Sequence, residues 1–469
     1  MTPDATLDKV CDSIDVLVEA GKPYGGLFPS MLDLETHRML TKLPPPIHGQ
    51  RMGDRAFLGS NLMHDQHLLK IMYALDRDGY REAADRYLRR FATHCTHTVT
   101  GLFPWGEHAY WHLEEDRVGD SHRLALPDKA PGTTLHDHLR QAPVWLWKKL
   151  YAFNPLCVER FAEGLDYHYK DGEPREYIRH AHIERRERLE HGPASSDFPR
   201  HGGFYILDWS FAYRKSSRAD FSRQVETMLD YWWAHRDPAG LLLSTTRGPE
   251  APAPMHNANT PAQTVSLAAS LLEAAELLDG SAPELIDRMR KRAGVYIDGF
   301  LSAPHDPDAG VFVSACRRGT NEILNTNPVW GSIYGNWPLA YVALIALCIY
   351  RLTEDERLLN WADAAGRWHS TTSFPEGVPV PAMDAGLAVE LLADLYDLTG
   401  DTEWLERGLE LARTLIPIYV DRDLVRGAAG IDWYESQMVP GDLLHGMARL
   451  ALLAMHGNAC PLTTNYTAK

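Results

Sequence analysis

The sequence predicts an all-α fold, an (α/α) toroid or barrel of six to seven helical hairpins whose long loops form a cleft on one face. Three observations carry that prediction. Helix–turn–helix signals recur along the 469 residues, strand signals are sparse, and the segments between successive hairpins are long and rich in Gly, Pro and aromatic residues. A lone hairpin cannot bury its apolar face, so such repeats must stack, either as an open solenoid or as a closed ring. Long connections at regular places favour the ring.

Six turns mark the hairpins in chain order: Ile71–Arg81, Leu150–Pro155, Ala212–Arg218, Leu277–Pro283, Ile349–Leu359 and Leu395–Leu405. The last is the clearest. Gly400 stands where a helix end wants a left-handed residue, and Asp401 where the next helix wants a capping side chain. Before it, Leu387, Leu391 and Leu395 recur at helical spacing. After it, Trp404, Leu405, Leu409 and Leu415 do the same. Short apolar runs at Leu241–Ser244 and Val311–Ser314 read as hairpin pieces inside loops. The connections fall at 22–60, 101–134, 171–203, 244–260, 303–337, 371–381 and 421–440. The whole chain, 1–469, reads as one such barrel, with 460–469 a flexible tail.

Composition narrows the partners. Lys+Arg number 47 against 63 Asp+Glu, a net charge of −16. That excess argues against nucleic acid, which needs a basic surface. Six scattered cysteines without a C-x-x-C pair give neither a disulfide framework nor a zinc ribbon. The apolar run Trp337–Tyr350 is too short to span a bilayer, and the N-terminus does not read as a signal peptide, so a cytoplasmic protein with no membrane partner is expected. There is no phosphate-binding G-x-x-x-x-G-K-[ST], no dinucleotide fingerprint, no H-E-x-x-H and no G-x-S-x-G. Oligomeric state stays open.

Residues suited to chemistry gather in the long connections. In Leu102–His112, Trp105, Tyr110 and Trp111 are suited to stack on sugar faces, and Glu107 and His108 to bind metal or move protons; aromatic loop packing is the alternative. In Leu135–Gln141, expected at a helix start, Asp137 is an oxygen ligand by type, and equally a helix cap. In Asp197–Tyr205, Arg200 and His201 precede two glycines, a composition for an anion clamp beside a ligand. Trp330 and Tyr334 in Asn325–Asn336, and Tyr434 in Asp432–Gln437, have the residue types of a sugar site. Arg140 adds a cation for substrate.

In order along the chain, Trp105-Gly106-Glu107-His108, then His136-Asp137 with Pro143 following, then Arg200-His201-Gly202 resembles the metal-dependent pectate lyases of polysaccharide lyase family 2. The match spans roughly residues 100–205. The resemblance implies a metal-assisted β-elimination of 4-linked uronic acid glycosides on an acidic oligosaccharide, with a divalent cation, manganese first and calcium or magnesium next. It implies His108, Asp137 and His201 as ligands, with Glu107 sharing that role, and Arg200 as the base. If Arg200 only clamps the carboxylate, the proton goes to Tyr205 or His138, since arginine holds its proton up to a pKa of about 12. Two positions depart from the family pattern: Asp137 stands for Glu, and Glu107 for the second Gly of Trp-Gly-Gly-His.

Other readings weigh against the lyase. One is a glycoside hydrolase of similar barrel type, such as an unsaturated-uronyl hydrolase, with Asp384, Asp432 or Glu435 as its carboxylates. Another is an isomerase resembling N-acylglucosamine 2-epimerases. The last is a non-catalytic protein that binds acidic oligosaccharides.

Overall fold

The computed structural model describes residues 2–75, 77–137, 140–172, 175–192, 195–247, 255–331 and 337–465. In it every one of the six expected turns separates two helices. The helices are α1 (Pro3–Gly21), α2 (Leu62–Ala74), α3 (Tyr80–Arg90), a short α4 (His122–Ala125), α5 (Val144–Phe153), α6 (Pro155–Gly164), α7 (Pro199–Ser216) and α8 (Ala219–Ala234). They continue as α9 (Pro261–Leu277), α10 (Pro283–Ser302), α11 (Leu339–Thr353), α12 (Glu356–Thr371), α13 (Ala382–Thr399), α14 (Thr402–Tyr419) and α15 (Pro440–His456).

Burial sorts them into two layers. In α2, α7, α9, α11, α13 and α15 nearly every residue of the N-terminal half or more is buried, so these form the inner ring. The outer helices show one apolar stripe, as in α8 with Phe221, Val225, Met228, Leu229 and Trp232. The ring closes where α15 packs on both α13 and α2, with α1 laid over it as an outer helix. The pair α5–α6 differs, because both members are amphipathic. It fills the interval between α3 and α7, where Trp147 of α5 donates to Asp208 of α7 at 2.9 Å. Seven helical pairs result among the described residues, six of them with a largely buried inner member.

Local chemistry explains the turns. Gly400 takes φ +70° and its N–H reaches Tyr396 O, while Asp401 caps the N–H of Glu403 at 3.0 Å. Glu354 and Asp355 repeat this in the preceding hairpin, Glu354 taking φ +57° without being glycine. The helices α5, α7, α9, α11, α13 and α15 each begin at or directly after a proline, which stops the incoming connection from continuing as helix.

All seven long connections lead out of an outer helix and into α2, α5 or another inner helix, so they gather at one end. Short antiparallel pairings stitch them together. Residues Met31–Asp33 pair with Trp433–Glu435, and Gly59–Ser60 with Ala109–His112. Leu135–His136 pairs with Ala181–His182, and Ala258–Asn259 with Val313–Arg317. At the opposite end of α13 the inner layer carries charge, and each charge is paired. Glu390 bonds His445 and Arg449, and Asp394 bonds Arg449 and Arg351.

Two expectations change here. Residues 460–465 lie against the barrel, with Leu462 and Asn465 buried and Trp145 donating to Asn465 at 2.8 Å; residues 466–469 of the expected tail fall outside the described residues. Asp137 does not start a helix: it directly follows the short strand Leu135–His136, and α5 begins only at Val144, after Pro143 has disfavoured helix in Ala142.

The crossing of α13 and α15 gives a stability test. A Cβ on Gly386 in α13 would lie inside the van der Waals envelope of the Leu443 backbone in α15. Gly386→Ala is expected to destabilise the protein by about 1–3 kcal/mol despite its gain in helix propensity. A thermal or denaturant melt checks the sign.

Candidate active site

The loop end of the barrel holds a cavity of ≈ 600 Å³. Arginines dominate its charge: Arg51, Arg140, Arg179, Arg200 and Arg317 line it, against the single acidic side chain of Glu107 among the described residues. Phe198, Trp337 and Tyr341 supply aromatic surface, and Gln263, Asn325 and Gln437 supply amides. The net charge of −16 therefore does not describe this cavity.

Behind the part of the wall formed by Glu107 and Arg179 lies a dense, largely buried group of histidines and carboxylates. It is assembled by the Trp105–His108 turn. Without a side chain at Gly106, the Asp137 carboxylate closes onto the turn, and its Oδ1 accepts from the N–H of Glu107 at 2.9 Å and of His108 at 3.4 Å. The strand pairing His136↔Ala181 then sets Asp137 across from His180. One ligand atom each from His108, Asp137 and His180 lies within 4.8 Å of the other two, and Asp54, Glu107 and His108 form an overlapping group.

Electrostatics inside the group are strained. Glu107 is held ionised, with its pKa at about 2: burial opposes this, but Arg179, whose Nη1 lies 3.0 Å from Oε2, and His108 outweigh it. Burial and the Glu107 charge push Asp137 up to about 7 and Asp54 to about 8. Desolvation lowers His108, and drives His180 well below the ordinary histidine range. His108 Nδ1 lies 3.2 Å from Gly53 O, so it carries the proton and Nε2 is left as the donor atom. Asp137 Oδ2, Asp54 Oδ2 and His180 Nε2 are buried without a hydrogen-bond partner among the described residues. Three carboxylates, two imidazoles and these orphaned atoms fit a divalent cation of intermediate hardness.

The structure brings some expected residues together and separates others. Glu107, His108 and Asp137 meet. His201 does not join them. It sits in the first turn of α7 against Phe198 and Phe204, and its Nε2 accepts from Arg200 Nε at 3.3 Å. An acceptor already used by a guanidinium is not a ligand atom. Arg200 and Arg140 both line the cavity; Arg140 is fixed by Asp442 Oδ2 at 2.9 Å.

Tyr205 is fully buried behind the wall rather than in the cavity, with its hydroxyl 3.2 Å from His168. Trp105 is 0 % exposed among Phe91, Phe103, Trp147 and Phe161, so it is core and offers no face to a sugar. Tyr110 is buried over Gly59 and Gly119, and Tyr434 is buried in its strand pairing, so neither reaches a ligand. Trp330 packs on His369 and Phe374 and does not line the cavity. His138 and Tyr334 lie outside the described residues.

Sequence reasoning passed over Arg179 and His180. Their signal was present: Arg179-His180-Ala181-His182 is a second Arg-His pair in the same connection as Arg200-His201. Only the pairing with Leu135–His136 selects between them.

No family model and no curated protein matches the sequence. Solved structures do show likeness at low identity. A sugar epimerase from a ruminal bacterium is similar with a TM-score of 0.48 and 11% identity, over 97% of this chain and 99% of that one. An unsaturated glucuronyl hydrolase specific for heparin gives 0.45 and 12%, over 84% and 99%. A family 76 glycoside hydrolase (mannosidase) from Bacteroides thetaiotaomicron gives 0.42 and 12%, over 96% and 99%.

Proposed function

We propose that this protein is a lyase that cleaves 4-linked uronic acid glycosides by metal-assisted β-elimination. The observation that carries the reading is the meeting of His108, Asp137 and His180, with Arg179 directly before His180, behind the Glu107 and Arg179 side chains that line an arginine-rich cavity. In the resemblance, an arginine directly precedes one ligand histidine; Arg179-His180 supplies that pair. His108, Asp137 and His180 would hold the cation, with Glu107 beside them, and manganese suits a mixed imidazole and carboxylate set. When bound, such a cation neutralises a uronate carboxylate and stabilises the charge that builds on it as the C5 proton leaves.

The chain's own groups have separate tasks. Arg179, held by Glu107, is positioned to clamp the uronate carboxylate. Its pairing with a carboxylate keeps it protonated, so proton abstraction by Arg179 requires substrate to displace Glu107 first. Arg200, 5.1 Å from the Trp337 ring, stiffens the facing wall, and Arg140, held by Asp442, presents fixed charge at the floor. Phe198, Trp337 and Tyr341 exclude water around the sugar.

The hydrolase reading loses two of its three carboxylates. Glu435 is fully buried in a two-point ion pair with Arg55, and Asp432 is an exposed partner of Arg426. Asp384 remains, pushed up to about 7 by burial, but it bonds the N–H of Gly331 beneath the cavity wall. No helix among the described residues is long and apolar enough to cross a membrane. Short oligosaccharides in the cytoplasm are the substrates this reading favours.

Absorbance near 235 nm tests the class. With Mn2+ and a panel of acidic oligosaccharides, a rise that a chelator abolishes reports an unsaturated uronate. Sugar release without that rise would overturn the lyase in favour of hydrolysis.

A further inference from the structure

We infer that His168 is a positioning residue for the site proposed above: a buried clip that fixes the register between the segment carrying Asp137 and the segment carrying Arg179 and His180. The inference rests on that reading of the site. Among the described residues the two segments are joined by a short ladder, Leu135↔His182 and His136↔Ala181, extended by the Ile183 N–H donating to Thr134 O at 3.1 Å and by Thr134 Oγ1 donating to Glu184. So short a pairing is weak, and a slip of one residue turns every side chain to the opposite face, which would carry His180 away from Asp137.

His168 bonds both segments at once. It closes the turn Leu165–His168 after α6 and is 1% exposed. Its Nε2 lies 2.9 Å from Nδ1 of His136, the residue before Asp137. Its Nδ1 lies 2.9 Å from the carbonyl oxygen of Ile178, the residue before Arg179. Tyr205 completes the clip, its hydroxyl 3.2 Å from the same Nδ1 and donating to Arg179 O at 3.4 Å.

The proton positions follow from the partners. A carbonyl only accepts, so His168 Nδ1 carries the hydrogen. In the neutral ring Nε2 is then an acceptor, and His136 Nδ1 must donate to it. The clip thus has one donor end and one acceptor end, and conservative substitutions can separate them. Asparagine reproduces a donor near the Nδ1 position. Glutamine reproduces an acceptor near the Nε2 position.

The test uses Mn2+ alone as the probe, in the full-length protein. His168→Ala is expected to weaken Mn2+ binding about 10–100-fold, the range typical of lost ligand-orienting partners, and to alter the electron paramagnetic resonance spectrum of the bound ion. His168→Asn and His168→Gln should each restore part of the affinity. Backbone amides at 178–182 should exchange faster in metal-free His168→Ala than in the metal-free native protein.

Unchanged affinity and spectrum in His168→Ala, where the native protein binds Mn2+, would overturn the clip and leave the site reading intact. If the native protein binds no Mn2+, the site reading fails, and amide exchange alone decides: unchanged exchange overturns the clip, faster exchange sustains it. Should His168→Ala not fold, the asparagine and glutamine variants decide by the same measurements.

Discussion

His180→Ala is expected to lose bound manganese and lyase turnover together, whereas His201→Ala keeps the metal. His180 reaches Asp137 and His108 through strand register, and its Nε2 is buried without a partner among the described residues. His201 spends its Nε2 on Arg200. Removing one of the three proposed ligands of the proposed cation should cost turnover about a thousandfold or more, equivalent to about 4 kcal/mol of transition-state stabilisation. Metal content after dialysis and the rate at 235 nm, measured on the same samples, check both halves. Retention of metal by His180→Ala together with its loss from His201→Ala would return the site to the Arg200-His201 pair.

Glu435→Gln should destabilise the protein by about 3–5 kcal/mol without touching the reaction. Arg55 and Glu435 are both 0 % exposed, with Arg55 Nε and Nη2 each 2.6 Å from a carboxylate oxygen. Gln50 and Trp433 donate to the same carboxylate at 2.7 and 2.8 Å. The amide leaves a guanidinium charge buried without its counter-ion, and replaces one acceptor by a donor that faces other donors. A denaturant melt reads the loss. Turnover below the melting transition should stay near that of the native protein. A hydrolase using Glu435 would give the reverse pattern, activity lost at unchanged stability.

The hairpins were legible because their determinants are local. A glycine at a left-handed position, an aspartate cap and a leucine spacing of three or four residues act within one or two turns of helix, as Gly400, Asp401 and Leu387–Leu395 show. The composition of the connections also pointed to the end of the barrel that holds the cavity. Within those connections the sequence was a poorer guide to individual side chains. Trp105 and Tyr434 carry the residue types of a sugar site, yet each is core, because an aromatic ring in a loop buries itself wherever neighbouring rings or strands allow. Glu435 has the type of a catalytic acid and serves as the counter-ion of Arg55.

What the sequence determined by itself was the architecture: helical pairs, their turns, the seven long connections and the concentration of histidine, arginine and carboxylate in them. What only the tertiary structure decided was which of two Arg-His pairs faces Asp137. That choice depends on a two-residue strand pairing, a glycine that lets a carboxylate approach, and a buried histidine bonded to both segments. The strand pairing joins residues 45 and 47 positions apart, the glycine and carboxylate are 31 apart, and the histidine reaches 32 positions back and 10 forward; no local spacing encodes the register of such contacts.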